Sequence, residues 1–194
     1  GTVWAILELP DHLRFDVITQ LGPVATLTSD GERFSLLDQR DGRYLDGPTC
    51  SANVARFLGV ALEAYEVATL LVGGVPVEDI GEGATIRPIH GGYDVRVPSA
   101  RGETRVRFSL RRGEEHAPPL QQYLRLAELQ LFTPDGRRRL TIVYDDYRVV
   151  RDEADLGDPQ RGIAMPFVVR IEDHVNDAEL TVRFRELHVN VDVV

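Results

Sequence analysis

Five histidines, His12, His90, His116, His174 and His188, are the side chains best suited to moving protons or holding a metal near neutral pH. Their spacing supports neither task. No HxxxH or HxH pair sets two imidazoles on one face of a helix or strand, as a zinc site requires. His12 near a strand start and His174 near a turn are expected at the surface. The neighbouring carboxylates of Asp145 and Asp146 would suit general acid–base work. Adjacent strand residues point to opposite faces, however, so a hairpin rim or solvated face is the expectation for this pair. Cys50, the single cysteine, cannot form an internal disulfide or a metal site alone. It stands just before a helix start, where a thiol pKa can fall, but no His or Cys lies near it in sequence. Arg137-Arg138-Arg139 follows a turn and reads as a solvated flank or a weak contact for lipid headgroups. Gly81-Glu82-Gly83 lacks the third glycine and the helix of a dinucleotide fingerprint, and reads as a loop. There is no GxSxG elbow and no P-loop. These residues predict no catalytic group, no cofactor and no metal, hence no enzyme.

Composition narrows the remaining classes. A chain of 194 residues, 43% hydrophobic and 27% charged, is long enough to bury one substantial core and is expected to form a single domain. The net charge of −9 argues against nucleic acid and against a polybasic grip on anionic lipid. All 22 basic residues are arginine, which reflects codon usage more than function. No apolar run approaches the roughly 20 residues that span a bilayer. The chain opens on Gly1 without a leader and is read as a processed or trimmed product.

What must position any site is mostly β-structure. Leu13-Arg14-Phe15-Asp16-Val17, Thr104 to Leu110 and Glu179 to Arg185 alternate apolar and polar residues with period two. Asp30-Gly31, Asp41-Gly42, Gly91-Gly92 and Pro134-Asp135-Gly136 supply turns between such runs. The pattern predicts an antiparallel meander of roughly ten strands. One segment breaks it. From Ser51 to about Val72 the spacing is helical, with Ser51 as N-cap, Gly59 as stop and a second helix from about Glu63. That second helix is apolar nearly all round through Tyr65, Val67, Ala68, Leu70, Leu71 and Val72, so it must be buried or meet something greasy. Strands with one apolar face curl into an open half-barrel, and the helices, about 51–73, would form its lid.

Two stretches carry a family resemblance. The first runs from LRFDVIT through Gln20-Leu21-Gly22-Pro23, Ser29-Asp30-Gly31, FSLLD and GRYLDG to Ala55–Leu62 and Leu70–Pro76. The second holds LTIVYDDYRVV, Ala164–Val168, IED and ELTVRFRELHV. Their order resembles LolB-like outer-membrane lipoproteins of the LolA/LolB superfamily over about two thirds of the chain. The middle, roughly 78–138, is longer and more strand-rich than in the outer-membrane lipoprotein receptor LolB itself, which points to a divergent branch. The resemblance implies an open antiparallel β-barrel with a short helical lid. Its apolar cavity would hold acyl chains of lipoproteins or lipids. It further implies reception or insertion of lipoproteins at the outer membrane, a periplasmic location, and an anchor through a lipidated N-terminus that this chain does not contain. The partners it implies are a periplasmic LolA-like carrier and the inner leaflet of the outer membrane.

Candidate cavity residues are Phe15, Val17, Phe34, Leu36, Val106, Phe108, Leu140, Ile142, Phe167, Val169, Leu180 and Val182 from strands, with Phe57, Leu58 and Leu71 from the helices. Core packing is the alternative for each. By position Leu21 is similar to the receptor's membrane-probing loop; packing at a hairpin turn is the other reading. A different class of function also stays open, a structural or interaction component of the envelope that keeps the fold without cargo.

Overall fold

Period-two alternation becomes strand throughout the computed structural model, which describes residues 1–77, 82–110, 124–152 and 162–191. The chain divides into two compact units, residues 1–76 and 77–194.

In the first unit β1 (Thr2–Glu8), β2 (His12–Thr19), β3 (Gly22–Asp30), β4 (Arg33–Asp38) and β5 (Arg43–Pro48) pair antiparallel in chain order. The register sets Phe15 opposite Leu27 and Leu27 opposite Leu36, with Leu13 and Phe34 both facing Ser29. One face is therefore apolar and buried, while Arg14, Asp16, Thr26 and Thr28 alternate onto the other.

The helical interruption is α1 (Ser51–Leu58) and α2 (Ala64–Leu71). Cys50, in extended conformation, occupies the N-cap instead of Ser51, which already has helical geometry. Gly59 stops α1 as expected: at φ 81° its N–H donates to the Ala55 carbonyl at 2.9 Å, a geometry that suits glycine. Glu63 starts α2, its backbone N–H donating to the Glu66 carboxylate at 3.0 Å. Ala64, Val67, Ala68, Leu70 and Leu71 are all buried, as an all-round apolar helix demands. The Phe57 ring lies 6.0 Å from that of Phe15, so α1 meets the apolar face of the sheet.

The second unit holds β6 (Thr85–Ile89), β7 (Gly92–Ser99), β8 (Gly102–Leu110), β9 (Leu124–Phe132), β10 (Arg138–Val150), β11 (Ile163–Asp173) and β12 (Ala178–Arg183), an antiparallel sheet again in chain order. Val95, Val106, Leu129, Ile142, Ile171 and Leu180 stand opposite one another in one row across six strands. The opposite face carries the row Arg87, Asp94, Arg107 and Glu128, joined by ion pairs.

The fold is mainly β, as expected, with two open sheets and two short helices. Twelve strands appear among the described residues where the pattern predicted roughly ten. β1 is apolar at five consecutive positions, Val3 to Leu7, and β6 is short and carries Pro88, so neither gives a clean period-two signal.

Candidate functional site

On the first sheet Phe15, Phe34 and Leu36 are buried on the face that meets the helices, and Leu71 is buried within α2. Val17, Phe57 and Leu58 are half-buried, so part of that apolar surface stays accessible. Leu21 occupies the tip of the β2–β3 hairpin and is 99% exposed. The Thr19 hydroxyl donates to the Gly22 carbonyl at 3.1 Å and accepts from the Leu21 N–H at 3.3 Å. These bonds hold the tip while leaving the leucine side chain unpacked.

On the second sheet every strand candidate falls on one face. Leu140, Ile142 and Val169 have no exposed surface, and Val106 and Phe167 are buried. Phe108, Leu180 and Val182 are half-buried. The Phe167 ring is covered by the Arg148 guanidinium, 4.3 Å from its centroid, which also pairs with Asp146 at 2.6 Å. The reading from sequence did not include Tyr144, which lies buried beside Val169 on this face. Burial pushes its hydroxyl well above the usual tyrosine range. The alternation Leu140, Ile142, Tyr144 was the signal that placed it.

Several polar groups among the described residues pair with one another. Asp145 lies 3.9 Å from Arg170, whereas Asp146 pairs with Arg148. Asp146 has φ 51°, so regular strand alternation fails at this point; separate arginine partners keep the two carboxylates apart in role. The Arg148 hydrogen bonds hold the Asp146 carboxyl below its ordinary pKa. His174 shares a 2.8 Å hydrogen bond with the Thr141 hydroxyl, while His12 and His188 stand 3.2 Å from Asp11 and Glu186. His116 and Gly81 lie outside the described residues. Among the described residues no group of three or more His, Cys, Asp or Glu side chains converges on a point. A cavity of about 200 Å³ opens on the second sheet between Arg87, Asp94, Arg96, Arg105, Arg107, Glu128 and Gln130, with Val95 and Val106 also against it. Its walls are the ion-paired polar face.

The arrangement defines a class: open antiparallel β-sheets with one apolar face each and a helical pair laid on the first. Solved structures are similar to it in fold. A Vibrio parahaemolyticus domain assigned as an outer membrane lipoprotein-sorting protein domain is similar over 97% of this chain and 77% of its own, with TM-score 0.56 and 10% identity. A LolA superfamily protein from Nitrosomonas europaea is similar over 95% of this chain and 77% of its own, with TM-score 0.50 and 10% identity. No protein-family model matches the sequence, and no curated protein matches it. The likeness to these structures is one of fold.

Proposed function

We propose that residues 1–194 act as one lipid-binding domain that takes up lipid acyl chains without enzymatic chemistry. In this reading it receives or inserts lipoproteins at the outer membrane. The observation that carries it is the segregation of apolar side chains onto one face of each open sheet, in a fold shared with a lipoprotein-sorting domain. The half-buried members, Val17, Phe57, Leu58, Phe108, Leu180 and Val182, are the surface an acyl chain would reach first. Exposing about fifteen methylenes costs roughly 12 kcal/mol, so a carrier need only surround the chain with apolar walls. A periplasmic setting, a LolA-like donor and the inner leaflet of the outer membrane complete the reading. An N-terminal lipid anchor belongs to the same proposal.

Organic extraction of the purified protein followed by mass spectrometry tests it. Acyl lipids are expected in the extract, and uptake of a fluorescent fatty acid should follow their removal. An empty extract together with no uptake would sink the proposal. A second reading, an envelope interaction component without cargo, draws on the complete burial of Leu140, Ile142 and Val169, which leaves those positions to the core.

A further inference from the structure

We propose that the face of the first sheet turned away from α1 and α2 is a docking surface for a zwitterionic lipid bilayer. The register puts Trp4, Asp16, Thr26, Leu37 and Tyr44 in one row across all five strands. Trp4 is 63% exposed, Leu37 39% and Tyr44 64%, and Ile18 lies one row nearer the Leu21 tip. An aromatic residue thus stands at each edge of the sheet, with Asp16, Thr26 and Leu37 between them and Ile18 in the adjoining row. Tryptophan and tyrosine favour the boundary between headgroups and acyl chains, where ring and polar tip are both satisfied.

Charge decides what the face fits. Its central carboxylate, Asp16, is neutralised on the same face by Arg14 at 2.8 Å and accepts from the Thr26 hydroxyl at 2.8 Å. Residues 1–7 and 17–29 contain no charged side chain in a chain that is 27% charged, and the ion pairs of this face, Arg14 with Asp16 and Arg33 with Asp46, join opposite charges. A net charge of −9 would repel an anionic surface. A face whose charges are paired in this way, with Trp4, Ile18, Leu37 and Tyr44 exposed and a fully exposed leucine at the adjoining hairpin tip, matches the interface of phosphatidylcholine or phosphatidylethanolamine.

The proposal rests on the membrane-facing role given to Leu21 but demands a different geometry. Asp16 lies four residues from Gln20, so the Trp4 row stands about 13 Å from the tip at ~3.3 Å per residue. The headgroup layer on each side of a bilayer is roughly 5–8 Å deep. An upright molecule touching through Leu21 alone would leave Trp4 in water. Trp4 meets lipid only if the sheet leans onto this face.

Trp4 is the single tryptophan, so its fluorescence reports the geometry directly. The full chain is titrated with phosphatidylcholine–phosphatidylethanolamine vesicles, with and without bromine-labelled lipid. We expect a blue shift and bromine quenching that persist in Leu21→Glu. Leu37→Asp or Tyr44→Ser should each lower vesicle partitioning several-fold, up to roughly tenfold, with unchanged circular dichroism. Vesicle binding without a Trp4 shift would overturn the face while leaving the Leu21 contact standing. Absence of vesicle binding would overturn both, and lipid extraction would still judge the cargo separately. A Trp4 shift that follows protein concentration without vesicles would overturn the bilayer as occupant and show that a second copy covers the face.

Discussion

Leu21 owes its exposure to the tightness of its hairpin: two residues, Gln20 and Leu21, separate the paired positions Thr19 and Gly22, and nothing lies above them. Replacing so exposed a residue leaves folding stability within about 0.5 kcal/mol. Burying it in a bilayer interface gains about 1–2 kcal/mol. Leu21→Glu is therefore expected to keep the thermal midpoint and lipid content while slowing cargo transfer into liposomes several-fold in a stopped-flow assay. Equal rates would remove the membrane role from this leucine. Three carboxylates supply a second prediction at this scale. Hydrogen bonds from Arg14 hold Asp16 below the usual range, the Arg33 and Glu32 backbone N–H groups do so for Asp30, and Arg148 does so for Asp146. A folded pKa below the unfolded one contributes stability above the unfolded value, and that contribution fades as pH falls through the folded one. The urea midpoint should hold from neutral pH to about pH 5 and drop below about pH 4. Asp30→Asn should flatten part of that drop.

At the level of elements, α1 and α2 divide into a part that packs and a part that stays accessible. Leu71 is buried in α2, so Leu71→Asp places an unpaired charge in the core and is expected to cost several kcal/mol, seen as a collapsed thermal transition. Phe57 is half-buried against Phe15, and Phe57→Asp should weaken retention of a fluorescent fatty acid while the transition stays cooperative. A fold that collapses with Phe57→Asp would make this ring core and take the lid role from α1. The β6–β7 turn supplies a packing test. A Cβ at Gly92 would collide with the Phe108 carbonyl oxygen, so glycine is required by the close approach of β8. Gly92→Ala is expected to destabilise by about 1–3 kcal/mol in chemical denaturation.

For the whole molecule the deciding quantity is the excess of acidic over basic residues, 31 against 22. Among the described residues several basic side chains are spent on internal partners: Arg14 on Asp16, Arg107 on Asp94 and Glu128, Arg148 on Asp146. Surface attraction to phosphate is thus weak, and association with zwitterionic vesicles should rest on apolar contact. Flotation with such vesicles is expected to be the same at low and high salt, and no better when anionic lipid is added. A strong fall with salt would instead assign the contact to arginines such as Arg137 and Arg138.

Local sequence determined what depends on near neighbours. Alternation in LRFDVIT and TRVRFSL set which side chains share a face, Asp-Gly pairs placed turns, and Gly59 ended α1, because each is decided by backbone sterics or by a period of two or 3.6 residues. Candidate residues were legible as members of apolar faces for the same reason. Alternation is silent on how deep each lies: Leu140 and Phe108 carry the same signal, yet one is fully buried and the other half-buried. Depth is set by what packs above the face, and only the tertiary structure supplies that. The row Trp4, Asp16, Thr26, Leu37 and Tyr44 was equally invisible, since it joins five strands through a register that hairpin geometry and a bulge between Val17 and Ile18 decide together. β1 itself, apolar on both sides, gave no period at all, and became a strand only by pairing with β2.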